Sequence, residues 1–396
     1  MTARPQAART RRYFMRIYVT TQGASIVKED KHLLVKCGND VHRTIFVHKV
    51  SQVVLCGNIT LTPPARNVLL RNSIDTVFLT RNGRYLGRFA QYEPKNIDLR
   101  RRQFRMAEEP AFALGIAQAI VAGKLANLAT VLMRIHRKLR NQRLAEQTRQ
   151  IRGMIAQSAT ADNMDALRGY EGQGSALYFA VFNLGFDQDQ GFVKRVRRPP
   201  TDPVNAVLSL LYTFLYNQVY SAIRQVHLDP YLGHLHTPDY GRCSLVLDLM
   251  EEFRPVIVDT LVFALFNMGI LKKGEDFITG DDSETEENEE DAARALAQQA
   301  GESGNELFDT AVQRMEERFS MPALPPLSAT ARRPVLLRPE AMKKVIAQFE
   351  RKLATSFTYE PEDRKITYSE AMLRQARQYR RCVEGSQSVY TPLLLR

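Results

Sequence analysis

From Arg16 to about Phe89 the apolar and polar positions change over in short runs. IYVTTQGASIVKEDKHLLVKC, TIFVHKVSQVVLCGNITLT and DTVFLTRNGRYLGRF are rich in Val, Ile, Thr and aromatics, and Asn82-Gly83 is a hairpin signal. They predict a small antiparallel β domain over residues 16–92. One helix interrupts it, from Pro64 to Asn72, where Pro64 suits a first turn and Val68, Leu69 and Leu70 make an apolar face. His32, His42 and His48 fall on this β part as surface residues. The basic, strand-poor stretch NIDLRRRQFRMAEEP reads as a linker over 93–110. From Ala111 to Gln157 apolar positions recur at three and four. Lys and Arg crowd the polar positions of RIHRKLRNQRLAEQTRQIR, so one or two amphipathic helices carry a basic face that either tracks phosphates or meets water.

In ALRGYEGQGSALYFAVFNL, Glu171 stands between Tyr170 and Gly172, and a helix is predicted to begin near Gly174. Glycines there allow close approach of a backbone, a metal or a phosphate. KRVRRPPTDPVNAVLSLLYTFLYNQVYSAI supplies a basic loop with Arg195, Arg197 and Arg198, then a helix apolar on most sides whose Asn205 needs a hydrogen-bond partner. In YLGHLHTPDYGRCSLVLDLMEEFRPVIVD, His234 and His236 share a loop with Gly233, Pro238 and Gly241, and Ser244 suits the N-cap of the next helix. Leu245, Val246, Leu249, Met250 and Phe253 recur at helical spacing, which puts Asp248, Glu251 and Glu252 within one turn of each other. Carboxylates on so apolar a background are costly without a partner. A divalent cation is one such partner, for an imidazole with carboxylates suits manganese or magnesium; an ordinary acidic helix face is the other reading. The section from Arg338 to Arg381 is helical and basic again. The fold class is therefore α+β, a small N-terminal antiparallel β domain followed by a larger all-α domain over 111–396.

The chain has 396 residues, 44% of them hydrophobic, enough for two cores. Fibrous, collagen-like and globally disordered classes are excluded. A formal charge of +12 favours polyanionic partners. Eight acids and no base lie between Asp281 and Ala292, so the insertion at 278–305 is predicted to be disordered. Cys37, Cys56, Cys243 and Cys382 form no CxxC pair, which favours a reducing compartment over a disulfide framework or zinc knuckle. No apolar run reads as a membrane span or secretory core, so the expected location is the cytoplasm. The basic residues 1–15 are a flexible arm, a DNA contact, or an extension ahead of a natural start at Met15.

Several motifs stand in order: VVLCGNITLTPPA and FLTRNGRYLGRF; YEG followed by Tyr178-Phe179; RPPTDPVNAVLSLLY; LDPYLGHLH; GRCSLVLDLMEEFRPVIVD; ITYSEAMLRQARQYRR and VYTPLLLR. Together they resemble the CRISPR-associated integrase of the spacer-acquisition complex, a family also described as metal-dependent DNA endonucleases. The resemblance implies Mg2+ or Mn2+ held by Glu171, His236 and Glu251 as the catalytic ligands. His236 closes the GxLH pattern, while His234, Asn205, Asp248 and Glu252 are supporting residues. Asp248 would bind metal through water, orient His236 or bond within its own helix. Arg195, Arg197, Arg198 and Arg242 are the DNA-contact candidates.

The implied reaction joins the 3′ hydroxyl of a captured fragment to a phosphodiester of the CRISPR array. Water in place of that hydroxyl gives hydrolysis, and His236 as a general acid is an alternative role. The implied partners are double-stranded DNA with 3′ single-stranded ends, CRISPR repeat DNA, a second copy joined through the β domains, and a small ferredoxin-like CRISPR-associated protein in a prokaryotic cytoplasm. Three departures stand out: the N-terminal extension, Gln225-Val226-His227 where small residues and glycine are commoner, and the acidic insertion. A stand-alone repair nuclease or transposon-borne integrase would share this site, whereas a non-catalytic DNA scaffold would have lost a ligand.

Overall fold

The computed structural model describes residues 15–89, 96–196, 199–279 and 333–395. The alternating runs become β1 Met15–Val19, β2 Ser25–Glu29, β3 His32–Cys37, β4 Asp40–Ile45, β5 Val50–Cys56, β6 Thr60–Leu61, helix α1 Pro63–Arg71, β7 Asp75–Leu79 and β8 Tyr85–Phe89. They build two four-stranded sheets, ordered β1-β5-β7-β8 and β4-β3-β2-β6. The β domain was expected to be antiparallel, yet β1–β5, β5–β7 and β2–β6 pair in parallel. The cause is the connection: α1 carries the chain back between β5 and β7, and parallel neighbours need such a crossover. It also explains the continuous run VVLC. Val53 and Leu55 point into the core between the sheets, while Val54 and Cys56 point the other way into the helical core, so both faces of β5 are buried.

The remaining helices are α2 Ile97–Glu108, α3 Pro110–Leu139, α4 Gln142–Ala159, α5 Met164–Phe179, α6 Pro203–Gln225, α7 Ser244–Met250 and α8 Thr260–Asn267. They are followed by strand β9 Phe277–Thr279, β10 Val335–Leu337, α9 Pro339–Ala354, hairpin strands β11 Ser356–Tyr359 and β12 Arg364–Thr367, and α10 Tyr368–Glu384. The helical part is thus mostly rather than wholly α, with two short two-stranded ladders. The stretch expected as a linker is helix α2, capped by Asn96, whose side chain accepts from the Leu99 amide. Glu171 lies well inside α5, which starts ten residues before the expected Gly174, with Asn163 as its cap. Helix α3 has the length and apolarity of a membrane span, but 67% of that window is buried within the protein, as befits a core helix. Arg134, Arg137, Lys138, Arg143, Arg149 and Arg152 of α3 and α4 do face solvent, as the basic pattern predicts. His227, one of the departures noted above, holds φ at +63°, a conformation that glycine takes without a Cβ penalty.

The β and helical parts meet through buried polar groups. Gln218 on α6 donates to Gln52, which donates to Asp75; Arg16 pairs with Glu350 on α9 at 2.9 Å. Arg88 lies 3.7 Å from the centre of the Tyr220 ring.

The acidic insertion, apart from Ile278 and Thr279 in β9, lies outside the described residues. The described chain stops at Thr279 and resumes at Arg333, and the strands on the two sides of that interval pair, Phe277 opposite Leu337 and Thr279 opposite Val335. Excising residues 281–303 should then change the melting temperature by about 2 °C or less, because closing a shorter loop between fixed ends costs little. A loss of cooperative unfolding in calorimetry would show that the segment is built into the fold.

Candidate metal centre

The loop bearing the histidines is organised by one carboxylate. Asp248 is fully buried on α7, and it accepts hydrogen bonds from the backbone amides of His234, Leu235 and His236. It also stands 2.8 Å from Nδ1 of His236. A carboxylate accepts, so Nδ1 carries a proton, and the ring is turned so that Nε2 faces Glu251, 3.8 Å away. Of the roles open to Asp248, orienting His236 is the one this geometry supplies. The helix starts with Cys243 as its cap residue and Ser244 as its first member, in place of the expected Ser244 cap; Ser244 Oγ instead donates to the Thr237 carbonyl. His234 turns inward. It is buried with Nε2 2.8 Å from the Tyr379 hydroxyl and its ring edge-on to Phe112, and burial pushes its pKa down.

Glu251 and Glu171 come from different helices and meet at Lys124. This lysine of α3 touches Oε1 of Glu171, and its Nζ lies 2.6 Å from Oε2 of Glu251. The Lys124 ammonium is what meets that buried oxygen, for among the described residues no other donor reaches it. Arg254 holds the other oxygen of Glu251 at 2.8 Å. Burial pushes the Glu251 carboxyl up, but Arg254, Lys124 and His236 outweigh it and hold the pKa at about 2. Ser175 donates to Glu171 at 3.0 Å. Arg168, one turn before Glu171 on α5, donates to the Leu235 carbonyl at 2.9 Å and so ties that helix to the histidine loop. At Gly174 a Cβ would collide with Leu125, so this glycine serves the approach of α5 to α3.

Two carboxylates, Glu251 with a buried oxygen met only by the Lys124 ammonium, and one oriented imidazole are a donor set that fits a divalent cation. Nε2 of His236 stands 3.8 Å from Oε1 of Glu251, the oxygen that Arg254 holds. Side chains of Glu171 and His236 are 26% and 30% exposed while Glu251 is 1%, so an ion would enter from solvent against a buried back wall. Among the described residues no three acidic, histidine or cysteine side chains are close enough to share an ion as they stand. Lys124 occupies the space between the acids.

The other candidates lie elsewhere. Glu252 points away from Glu171 and takes bonds from Gln375, Tyr390 and the Leu393 amide, fastening the C-terminal residues. Asn205 organises the loop before α6, accepting from Arg195 and Val196 and donating to Lys194 and Asp202. Arg195 is thereby committed to the fold. Arg242 is exposed beside the histidine loop, paired with Asp239 at 3.2 Å. Arg197 and Arg198 lie outside the described residues. Lys124 and Arg168 escaped the motif reading, although a lone lysine in the apolar run IVAGKLANLATVLM carried the same signal as the buried acids.

The family model for CRISPR associated protein Cas1 matches residues 17–299, a span that contains Glu171, His236 and Glu251. The chain belongs to the Cas1 family. It is 36% identical over 262 residues to CRISPR-associated endonuclease Cas1 2 of Rhodospirillum rubrum, covering 63% of this chain and 75% of that protein. Its fold resembles a chain of the Cas6-RT-Cas1–Cas2 complex with a TM-score of 0.74 at 23% identity, over 99% of this chain and 37% of that longer one. It also resembles a casposase bound to integration product, with a TM-score of 0.70 at 18% identity over 95% of this chain and 92% of the other. Both likenesses bear on the fold, and they place the sheets and helices described above in the Cas1 architecture.

The different surroundings of the loop residues separate them experimentally. Asp248→Ala leaves three buried amides and His236 without an acceptor and should cost about 3–5 kcal/mol. His234→Ala removes a packed, bonded ring and should cost about 2–4 kcal/mol, whereas His236→Ala should stay within about 1 kcal/mol of wild type. Denaturant unfolding of the three variants measures this order, and a large loss for His236→Ala would make that residue structural.

Proposed function

We propose that this Cas1 chain is a metal-dependent DNA integrase and endonuclease that inserts captured DNA fragments into a CRISPR array. The observation that supports it most is what meets at Glu251, at the end of α7: His236 from the loop 3.8 Å away, and Glu171 from α5 through the ammonium of Lys124 that the two acids share. These three residues would hold Mg2+ or Mn2+, which when bound supplies Lewis acidity toward a phosphodiester and lowers the pKa of an attacking hydroxyl.

The chain's own residues do the rest. Asp248 keeps the imidazole turned toward Glu251, and Arg254 keeps Glu251 ionised at neutral pH. Exposed Arg242 and the basic faces of α3 and α4 are suited to phosphate contacts, each a small share of a many-point attraction. The 3′ oxygen of the fragment bonds to phosphorus as the array strand's own 3′ oxygen leaves and takes a proton. One phosphodiester is made for one broken, so no covalent enzyme intermediate is required, and water as nucleophile turns the same site into a nuclease. The companion readings are a second copy through the β domain, where Val41 on β4 and Phe46 just after it are both exposed, and a small CRISPR-associated partner in a prokaryotic cytoplasm. The naming of a Cas1–Cas2 complex for a chain of similar fold supports the partner.

Glu171→Ala, His236→Ala and Glu251→Ala should each lower strand transfer by about a hundredfold or more while duplex binding persists. The assay is integration of a labelled 3′-hydroxyl fragment into a supercoiled array plasmid, with binding measured in parallel. A variant that integrates at the wild-type rate removes its residue from the site.

A further inference from the structure

Lys124 is 6% exposed, midway along α3, and its ammonium is shared by the two carboxylates that the proposed function gives to a metal. With Arg254 on the far oxygen of Glu251, two acids face two bases, and the cluster is neutral without any ion. The lysine is held at this point by the C-terminal residues. Pro392 packs onto Gly123 where a Cβ would clash, and Asn127 donates to the Glu252 and Leu393 carbonyls at 2.9 and 2.8 Å. Asn127 also accepts from the Leu395 amide at 2.7 Å. Helix α3 therefore cannot slide to withdraw Lys124; only the side chain itself can turn.

A divalent ion bound by both Glu171 and Glu251 needs the position and the charge that the ammonium now provides. The two cations repel at such range, and burial leaves little water to screen them. We propose that Lys124 is the resident counter-cation of this centre: it holds Glu171 and Glu251 together in the metal-free protein and competes with the divalent ion, which binds by displacing it. The inference rests on the metal reading above and adds a cost to metal entry that the ligand trio alone would not carry. It also accounts for a metal site that folds with its two acids already paired, since uncompensated buried carboxylates would drive the helices apart.

The test is Mn2+ binding by the full-length wild type and Lys124→Met, with free ion followed by electron paramagnetic resonance and melting temperatures recorded in chelator and in Mn2+. Lys124→Met should bind Mn2+ about tenfold tighter or more, melt lower in chelator, and gain more from Mn2+ than the wild type does. Equal or weaker affinity in Lys124→Met overturns the inference. Failure of both proteins to bind Mn2+ would instead overturn the metal reading, and the competition with it. Should Lys124→Met not fold, reductive methylation of wild-type Lys124, read by peptide mass spectrometry, decides: labelling should rise on saturation with Mn2+, and constant or reduced labelling overturns the displacement.

Discussion

A carboxylate taken out of water has to be met by donors, and the helical run from α7 to α8 imposes that demand four times. Asp248, Glu251, Glu252 and Asp259 are each 1% exposed or less. Each draws in a different part of the chain: the histidine loop to Asp248, α3 to Glu251, the C-terminal residues to Glu252, and Tyr212 of α6 to Asp259 at 2.7 Å. The nature of the donor separates their roles. Burial lifts Glu252 to about 7 and Asp259 to about 6, because the neutral donors around Glu252, and the Tyr212 and Tyr178 phenols with Arg254 and Lys124 around Asp259, offset it only in part. Glu251 alone among these three is pulled down, to about 2, by direct cations. An acid kept ionised in the core, beside a partly exposed histidine, is suited to chemistry; acids satisfied by amides and phenols are suited to holding elements together.

A break in the regular helix serves the same arrangement. Pro255 has no amide to give to the carbonyl of Glu251, four residues back, and the helix widens into a π turn over Arg254–Asp259. The turn sits directly after the two glutamates. Arg254, its first residue, reaches back to Glu251 and lies 5.3 Å from the centre of the Tyr212 ring, while Asp259, its last, meets the Tyr212 hydroxyl. One local change of pitch thus brings the cation for the site and the anchor to α6 onto the same aromatic ring.

What the sequence made legible follows from period and from motif. The short β runs and the long helices were readable from period, and motif pointed to Glu171, His236 and Glu251, of which His236 stands 3.8 Å from Glu251 while Glu171 reaches Glu251 through Lys124. The misses have physical causes. Strand pairing direction depends on a crossover that no single strand encodes, so the parallel pairs were hidden. Helix α2 was taken for a linker because Leu99 and Gln103 are its only buried residues and its arginines obscured the period. Helix α5 tolerates Gly169, Gly172 and Gly174 within it, and packing on α3 overrode the poor helix propensity that suggested a loop. Lys124 was overlooked although burial of a charge was the reasoning applied to the acids; the rule is symmetrical, and a base in an apolar run asks for an acid.

The span matched by the family model and the residues that stiffen the site do not coincide. Glu171, His236, Glu251 and Lys124 all fall within residues 17–299, whereas the residues that fasten α3 against the acid-bearing helix, Tyr390, Pro392, Leu393 and Leu395, lie beyond it. Glu252 and Asn127 are where the two sets meet, each inside the matched span and each satisfied from outside it. Neighbouring positions on one helix therefore divide the work: Glu251 faces the cations, and Glu252 is locked from behind by the C-terminal residues. A ligand carboxylate is only as well placed as the helix that carries it. In this chain that placement depends on contacts about 140 residues further along, joined to the site through the buried acid next to it.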